Sequence, residues 1–157
     1  MSNGFRKIIT GKFKISIPMK YKLKKRNHLI CKLYFLIIRR KMKKDFPKGI
    51  TGFHSYEIKM GNHSFSFFVE PSNRKPEDMA EFIESQTRYL PTLKSIIINN
   101  CSGKMYGDYS EQMTWIDWWV KKENCMICFN IQGLGMPAED VKNDVSNILN
   151  SLEYIGK

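Results

Sequence analysis

Residues 113 to 132, MTWIDWWVKKENCMICFNIQ, hold two runs of strand-favouring side chains on either side of a short polar stretch. A hairpin satisfies both runs, with arms Met113 to Val120 and Cys125 to Gln132 joined over residues 121 to 124. Because successive side chains on a strand point to opposite faces, the facing follows at once. Cys125, Ile127, Phe129 and Ile131 share one face, and Met126, Cys128, Asn130 and Gln132 share the other. On the first arm, Met113, Trp115 and Trp119 lie together with Asp117 among them, opposite Ile116, Trp118 and Val120. Aromatic bulk therefore stands on both faces. Unless both are covered, at least one indole is exposed or partly exposed.

The same facing decides the chemistry of the CxxC pair, Cys125 and Cys128. A chelating or redox CxxC needs a turn or helix start that brings its sulfurs together, and the intervening Met-Ile supplies none. The thiols are expected to point apart as two strand cysteines, one of them in the core. Cys101 stands alone and Cys31 lies in a basic stretch, so no second ligand pair exists at suitable spacing. No metal site and no cofactor is expected. His28, His54 and His63 are scattered, no nucleophile elbow or phosphate loop is present, and Asp117 has no carboxylate partner at a useful spacing. No catalytic residue is assigned.

Charge divides the chain sharply. The formal charge is +11, but residues 1 to 50 carry 16 Lys+Arg against Asp45 alone, which is +15, and the remainder carries 10 against 14, which is −4. One domain spans residues 1 to 157, with a strongly basic part to residue 50 and a mildly acidic body beyond it. Lys24, Lys25, Arg26, Arg39, Arg40, Lys41, Lys43 and Lys44 are the candidate anion-facing residues, with Tyr21, Tyr34 and Phe35 interleaved among the cations. The apolar run from Leu29 to Ile38 starts late and lacks a cleavage site. It is also shorter than the roughly 20 residues a bilayer span needs. A cytoplasmic address with reduced thiols is the expectation.

Elsewhere the pattern predicts strands at FKISIP, SYEIKM, HSFSFFVE and Leu93 to Asn99, with Gly61-Asn62 joining the second and third. LICKLYFLII leans toward strand, and Pro47, Gly49 and Gly52 mark a turn. Ser102-Gly103-Lys104 and Gly107-Asp108 read as punctuation. Helices are predicted over 76 to 90, from Pro76 with Glu77, Asp78 and a stripe of Met79, Phe82, Ile83 and Leu90, and over 138 to 154, from the stripe Val141, Val145, Ile148, Leu149 and Leu152. Gly156 suits the end of the second helix. The expected class is α+β, with helices packed on an antiparallel sheet.

FKISIP, PEDMAEFIE, WWVKKENCMICFNI and VSNILNSLEYI, in that order, resemble the Mog1/PsbP-like α-β-α sandwich, and more narrowly small bacterial domains of unknown function that share it. The resemblance covers residues 55 to 157 and 12 to 18. Such domains usually place an aromatic residue and a short hairpin after the first proline, where this chain has its basic stretch. The resemblance implies a binding or accessory module and carries over no catalytic residue.

The expected function is accordingly a non-catalytic interaction module with a protein partner. Trp115, Trp118 and Trp119 are the candidate anchors, and Lys41, Lys43 and Lys44 the charges that steer an acidic partner. The alternative is binding of nucleic acid or an anionic membrane surface by the basic segment. A small enzyme or thiol redox protein is the third reading.

Overall fold

The computed structural model describes residues 4–25, 56–71, 75–77 and 93–156. In chain order these form β1 (Phe5–Thr10), β2 (Phe13–Pro18), β3 (Leu23–Lys25), β4 (Tyr56–Met60), β5 (His63–Pro71) and β6 (Lys94–Ile98). There follow β7 (Cys101–Asp108), β8 (Met113–Lys122), β9 (Cys125–Leu134), the helix α1 (Glu139–Asn150) and β10 (Glu153–Tyr154). One antiparallel sheet has the order β3-β4-β5-β9-β8-β7-β6, and a smaller one the order β1-β2-β10.

This corrects the expected α+β class and its helix-packed α-β-α sandwich. Among the described residues antiparallel strands predominate, with one complete helix of 12 residues. The layer on the core face of the large sheet is shared between α1 and β2 of the small sheet. The predicted helix over 76 to 90 is helical at Pro76 and Glu77, and its remainder lies outside the described residues, as do LICKLYFLII and the turn at Pro47, Gly49 and Gly52. Strand β1, FRKIIT, was not legible because it is short, mixes Arg6 and Lys7 with its apolar residues, and owes its order to pairing with β2.

The second predicted helix is shorter than its apolar stripe suggested. It ends at Asn150, where Ser151 donates its hydroxyl to the Ile148 carbonyl at 2.7 Å and accepts the Ser16 amide of β2 at 2.8 Å. Leu152 belongs to the core but not to the helix, and Glu153–Tyr154 turns back to pair with β2. Gly156 lies beyond that strand. The glycines read as punctuation are likewise inside β7, where their lack of a side chain lets β7 approach β8.

Phe13, Ile15 and Ile17 of β2 are fully buried, together with Ile58, Phe65, Phe67, Ile127 and Ile131 from the large sheet. Val141, Val145, Ile148 and Leu149 of α1 close the same core. A salt bridge and a hydrogen bond fix the middle of the helix, since Asp144 meets the Lys20 ammonium at 2.6 Å and accepts from the Tyr21 hydroxyl at 2.5 Å. Burial, with the neighbouring carboxylate second, pushes the Tyr21 phenol up to about 12, so it stays a donor.

At the other end of α1, Asn99 and Asn100 form the two-residue turn between β6 and β7, with φ of 46° and 62°. The Asn99 amide donates to the carbonyls of Asn150 (2.9 Å) and Leu152 (2.6 Å), which have no partner inside the helix. Asn99→Ala is expected to cost about 1–2 kcal/mol, from two lost hydrogen bonds and from alanine's poorer tolerance of left-handed backbone than asparagine's. Asn99→Gly is expected to cost less, since it loses only the hydrogen bonds; urea unfolding midpoints of the two variants check the order.

Candidate functional site

The hairpin of β8 and β9 occupies the middle of the large sheet, and its register sets what each face presents. Its arms run two residues further than expected, with Lys122 opposite Cys125, so the loop is Glu123 and Asn124 alone. Glu123 takes a left-handed φ of 52°, and its carboxylate accepts the Tyr154 hydroxyl at 2.6 Å. Trp118 pairs with Phe129 on the face that α1 and β2 cover, and it is buried there. Cys125 packs against that main core, whereas Cys128 joins a separate cluster on the opposite face, so the two thiols are on different sides of the sheet.

That opposite face is divided across its strands. One end holds the second cluster, in which Trp119, Tyr106, Met126 and Cys128 are buried, with the Tyr106 and Trp119 rings 6.3 Å apart. At the other end two polar rows cross the strands. The first runs Lys59, Ser64, Gln132, Trp115, and the second Lys24, Glu57, Ser66, Asn130, Asp117, Tyr106. Trp115 is 41% exposed, against 5% for Trp118 and 3% for Trp119. Of the three candidate anchors, two are therefore core residues and Trp115 alone is available to a partner. Lys24 and Lys25 are exposed on β3. Arg26, Arg39, Arg40, Lys41, Lys43 and Lys44 lie outside the described residues.

The Trp115 ring is held in place. Its indole N–H donates to Asp117 Oδ2 at 2.8 Å, and Asn130 Nδ2 donates to Asp117 Oδ1 at 2.8 Å. Both carboxylate oxygens are thus occupied, and the exposed ring has its one polar group already satisfied. Burial pushes the Asp117 carboxyl up to about 6, against the opposing pull of those two donors. Gly107 of β7, with φ of 91°, lies so close behind that a Cβ there would stand 1.9 Å from the Trp115 carbonyl oxygen.

Beside Trp115 an open groove of about 400 Å³ is bordered by Lys59, Asn62, Ser64, Met113 and Gln132, with Gly133 and Leu134 beneath. Met113 and Leu134 are cross-strand partners, 50% and 77% exposed, and extend the apolar area of the indole. Under the groove the carbonyl of Gly135 accepts from the Thr114 hydroxyl and from His63 Nε2, each at 2.9 Å. Gly133 admits the buried His63 ring, since a Cβ there would fall 2.5 Å from His63 Cδ2. The Ser64 hydroxyl donates to Glu57 at 2.8 Å, and Lys59 lies 3.7 Å from the same carboxylate. Among the described residues no three His, Cys, Asp or Glu side chains gather as a metal site would require. The groove offers a stacking surface, amides, a hydroxyl and a cation, which is a set of groups suited to recognition.

Sequence reasoning placed Gln132 and Asn130 on this face but gave them no role, and it did not single out Lys59, Asn62 or Ser64. The serines of HSFSFF were a usable signal, because polar residues at Ser64 and Ser66 give way to Phe68 where the face becomes covered.

The fold is PsbP-like. A crystal structure from Bacteroides thetaiotaomicron matches 99% of this chain with a TM-score of 0.61 at 11% identity, and the chain spans 50% of that protein's length. The solution structure of the cyanobacterial PsbP (CyanoP) from Synechocystis sp. PCC 6803 matches 98% of this chain and 94% of its own, with a TM-score of 0.54 at 10% identity. No family model matches the sequence, and no curated protein does. No described helix is long and apolar enough to cross a membrane.

Asp117 makes stability depend on pH in a stated direction. A carboxyl whose folded pKa is about 6, against 3.8 as the ordinary value, binds its proton more tightly in the native state. Stability is then highest below pH 4, falls as pH rises through the window from 4 to 6, and levels above it, a loss on the order of 3 kcal/mol. Asp117→Asn is expected to flatten that slope in denaturation series across the window. Gly107→Ala is expected to destabilise by more than about 2 kcal/mol, read from the urea midpoint, because the obstructing atom is backbone.

Proposed function

We propose that this chain is a non-catalytic interaction module that holds a protein partner at the open end of its large sheet. The observation that carries the reading is Trp115. It is exposed at the edge of a groove, immobilised through its own N–H, and flanked by Met113 and Leu134. A large apolar residue left in water costs stability unless it is covered by something else, and a ring fixed in advance loses little entropy on being covered. Indole anchors of this kind supply a disproportionate share of binding energy at protein interfaces. The basic N-terminal part would then speed encounter with an acidic surface, in the reducing cytoplasmic setting expected for this chain.

Affinity capture from the host lysate, with wild type and Trp115→Ala side by side, tests the reading. Because Trp115 is outside both cores, the variant is expected to stay folded, at a cost of about 1–3 kcal/mol for the hydrogen bond lost to Asp117, while losing a partner that the wild type retains. Equal retention by both proteins sinks the aromatic site. Retention abolished by nuclease treatment moves the chain to the nucleic-acid class.

A further inference from the structure

The groove has a spacing as well as a composition, and the spacing restricts what fits. Trp115, Gln132, Ser64 and Lys59 stand opposite one another on four adjacent strands, β8, β9, β5 and β4. Three inter-strand steps of about 4.8 Å put the lysine roughly 14 Å from the indole, measured across the sheet. An extended chain advances about 3.4 Å per residue and turns alternate side chains to the same side, so residues i and i+4 are also about 14 Å apart and face the same way. A peptide lying across the strands thus brings side chains i, i+2 and i+4 down onto Trp115, the Gln132–Ser64 centre and Lys59 in turn.

The chemistry along that line is graded. At one end the exposed apolar area of Trp115, Met113 and Leu134 suits an aliphatic side chain. In the middle, Gln132 is exposed and its amide has no hydrogen bond among the described residues, and the same holds for Asn62 beside it. Each offers a donor and an acceptor, the complement of a peptide group. At the far end Lys59 is, among the described residues, the one charged residue bordering the groove, its side chain 75% exposed, and Lys24 stands beyond Glu57 on the same face. The nearby Glu57 accepts from Ser64 and pairs with Lys59 at 3.7 Å, and Lys59 and Lys24 together outnumber that one carboxylate. The charge left for a ligand at this end is positive, whereas the indole end has its carboxylate, Asp117, turned inward onto Trp115 and Asn130.

We infer that the groove binds an extended, acidic peptide segment of the partner, with an aliphatic residue on Trp115 and a carboxylate four residues away on Lys59. This rests on the interaction-module reading and names the partner's chemistry. The peptide runs across the strands, not along an edge, so its recognition is by side chains and amides and does not add a strand to the sheet.

Titration of the full chain, followed by amide resonances of β8 and β9, with capped peptides in a serine and threonine background tests it. A peptide with leucine and glutamate four residues apart is expected to shift the groove resonances saturably. Peptides with the pair two residues apart, or with lysine in place of glutamate, are expected to bind at least roughly fivefold more weakly, the size of about 1 kcal/mol. Lys59→Glu is expected to lose a similar factor for the glutamate peptide and regain it for the lysine peptide, a reciprocity that general damage to the fold cannot produce. Equal binding at both spacings, absence of the charge swap, or saturation of the same resonances by a neutral oligosaccharide or a short single-stranded oligonucleotide in preference to the peptide overturns the inference. Partner capture that depends on Trp115 but is indifferent to Lys59→Glu overturns it while leaving the module reading standing; capture indifferent to Trp115 removes both.

Discussion

Everything distinctive about this molecule depends on the register of β8 against β9. With Trp118 opposite Phe129, Trp119 opposite Cys128 and Trp115 opposite Gln132, one hairpin supplies both cores and the open end of the sheet. A slip of β8 by one residue would reverse its side chains, putting Asp117 into the main core and Ile116 onto the opposite face. Burying that carboxyl without its hydrogen bonds to Trp115 and Asn130 would cost several kcal/mol, on the scale of the whole stability of a domain this size. The register is therefore held by both faces at once, with apolar pairs on one and the Trp115–Asp117–Asn130 network on the other.

The neighbours of the hairpin extend this division. β5 continues each row, with Phe65, Phe67 and Val69 entering the core while Ser64 and Ser66 face outward. β7 follows closely behind β8 because Gly103 and Gly107 let backbone meet backbone. Over the core face, β2 and α1 share the covering layer and are bonded to each other through Ser16 and Ser151. α1 is tied to two different parts of the chain, by Tyr21 and Lys20 at its middle and by Asn99 after its last turn. A helix of 12 residues without a side-chain N-cap gains its order from these attachments and from its buried stripe, since isolated helices of that length are marginal in water.

The open end is a place where the fold retains exposed apolar area beside polar groups that the core has no use for. Trp115 could have been a shorter residue without loss to either core, and Asn62 and Gln132 make no side-chain hydrogen bond among the described residues. The stability lost to the raised carboxyl of Asp117 is offset elsewhere, and its local effect is to hold an indole in one orientation. Groups that are fixed in place yet contribute little to folding are what a recognition surface requires, because their freedom has been removed before the ligand arrives.

Alternation along Met113 to Gln132, read from the sequence alone, determined the hairpin, the separation of the two thiols and the side of the sheet on which each tryptophan falls, because a strand's period of two is a local property of the backbone. The strand FKISIP, the turn at Gly61-Asn62 and the start of the C-terminal helix were legible for the same reason, each resting on near neighbours in the chain. Which indole is exposed was decided by tertiary structure: Trp115 and Trp119 share a face and differ only in what lies over their stretch of the sheet. The small sheet was decided there too, since β1 and β10 acquire their order from β2, and Glu153 and Tyr154 are distant from it in sequence. So was the groove, whose Lys59, Ser64, Gln132 and Trp115 come from four strands and meet through hydrogen-bonded pairing that no local periodicity encodes.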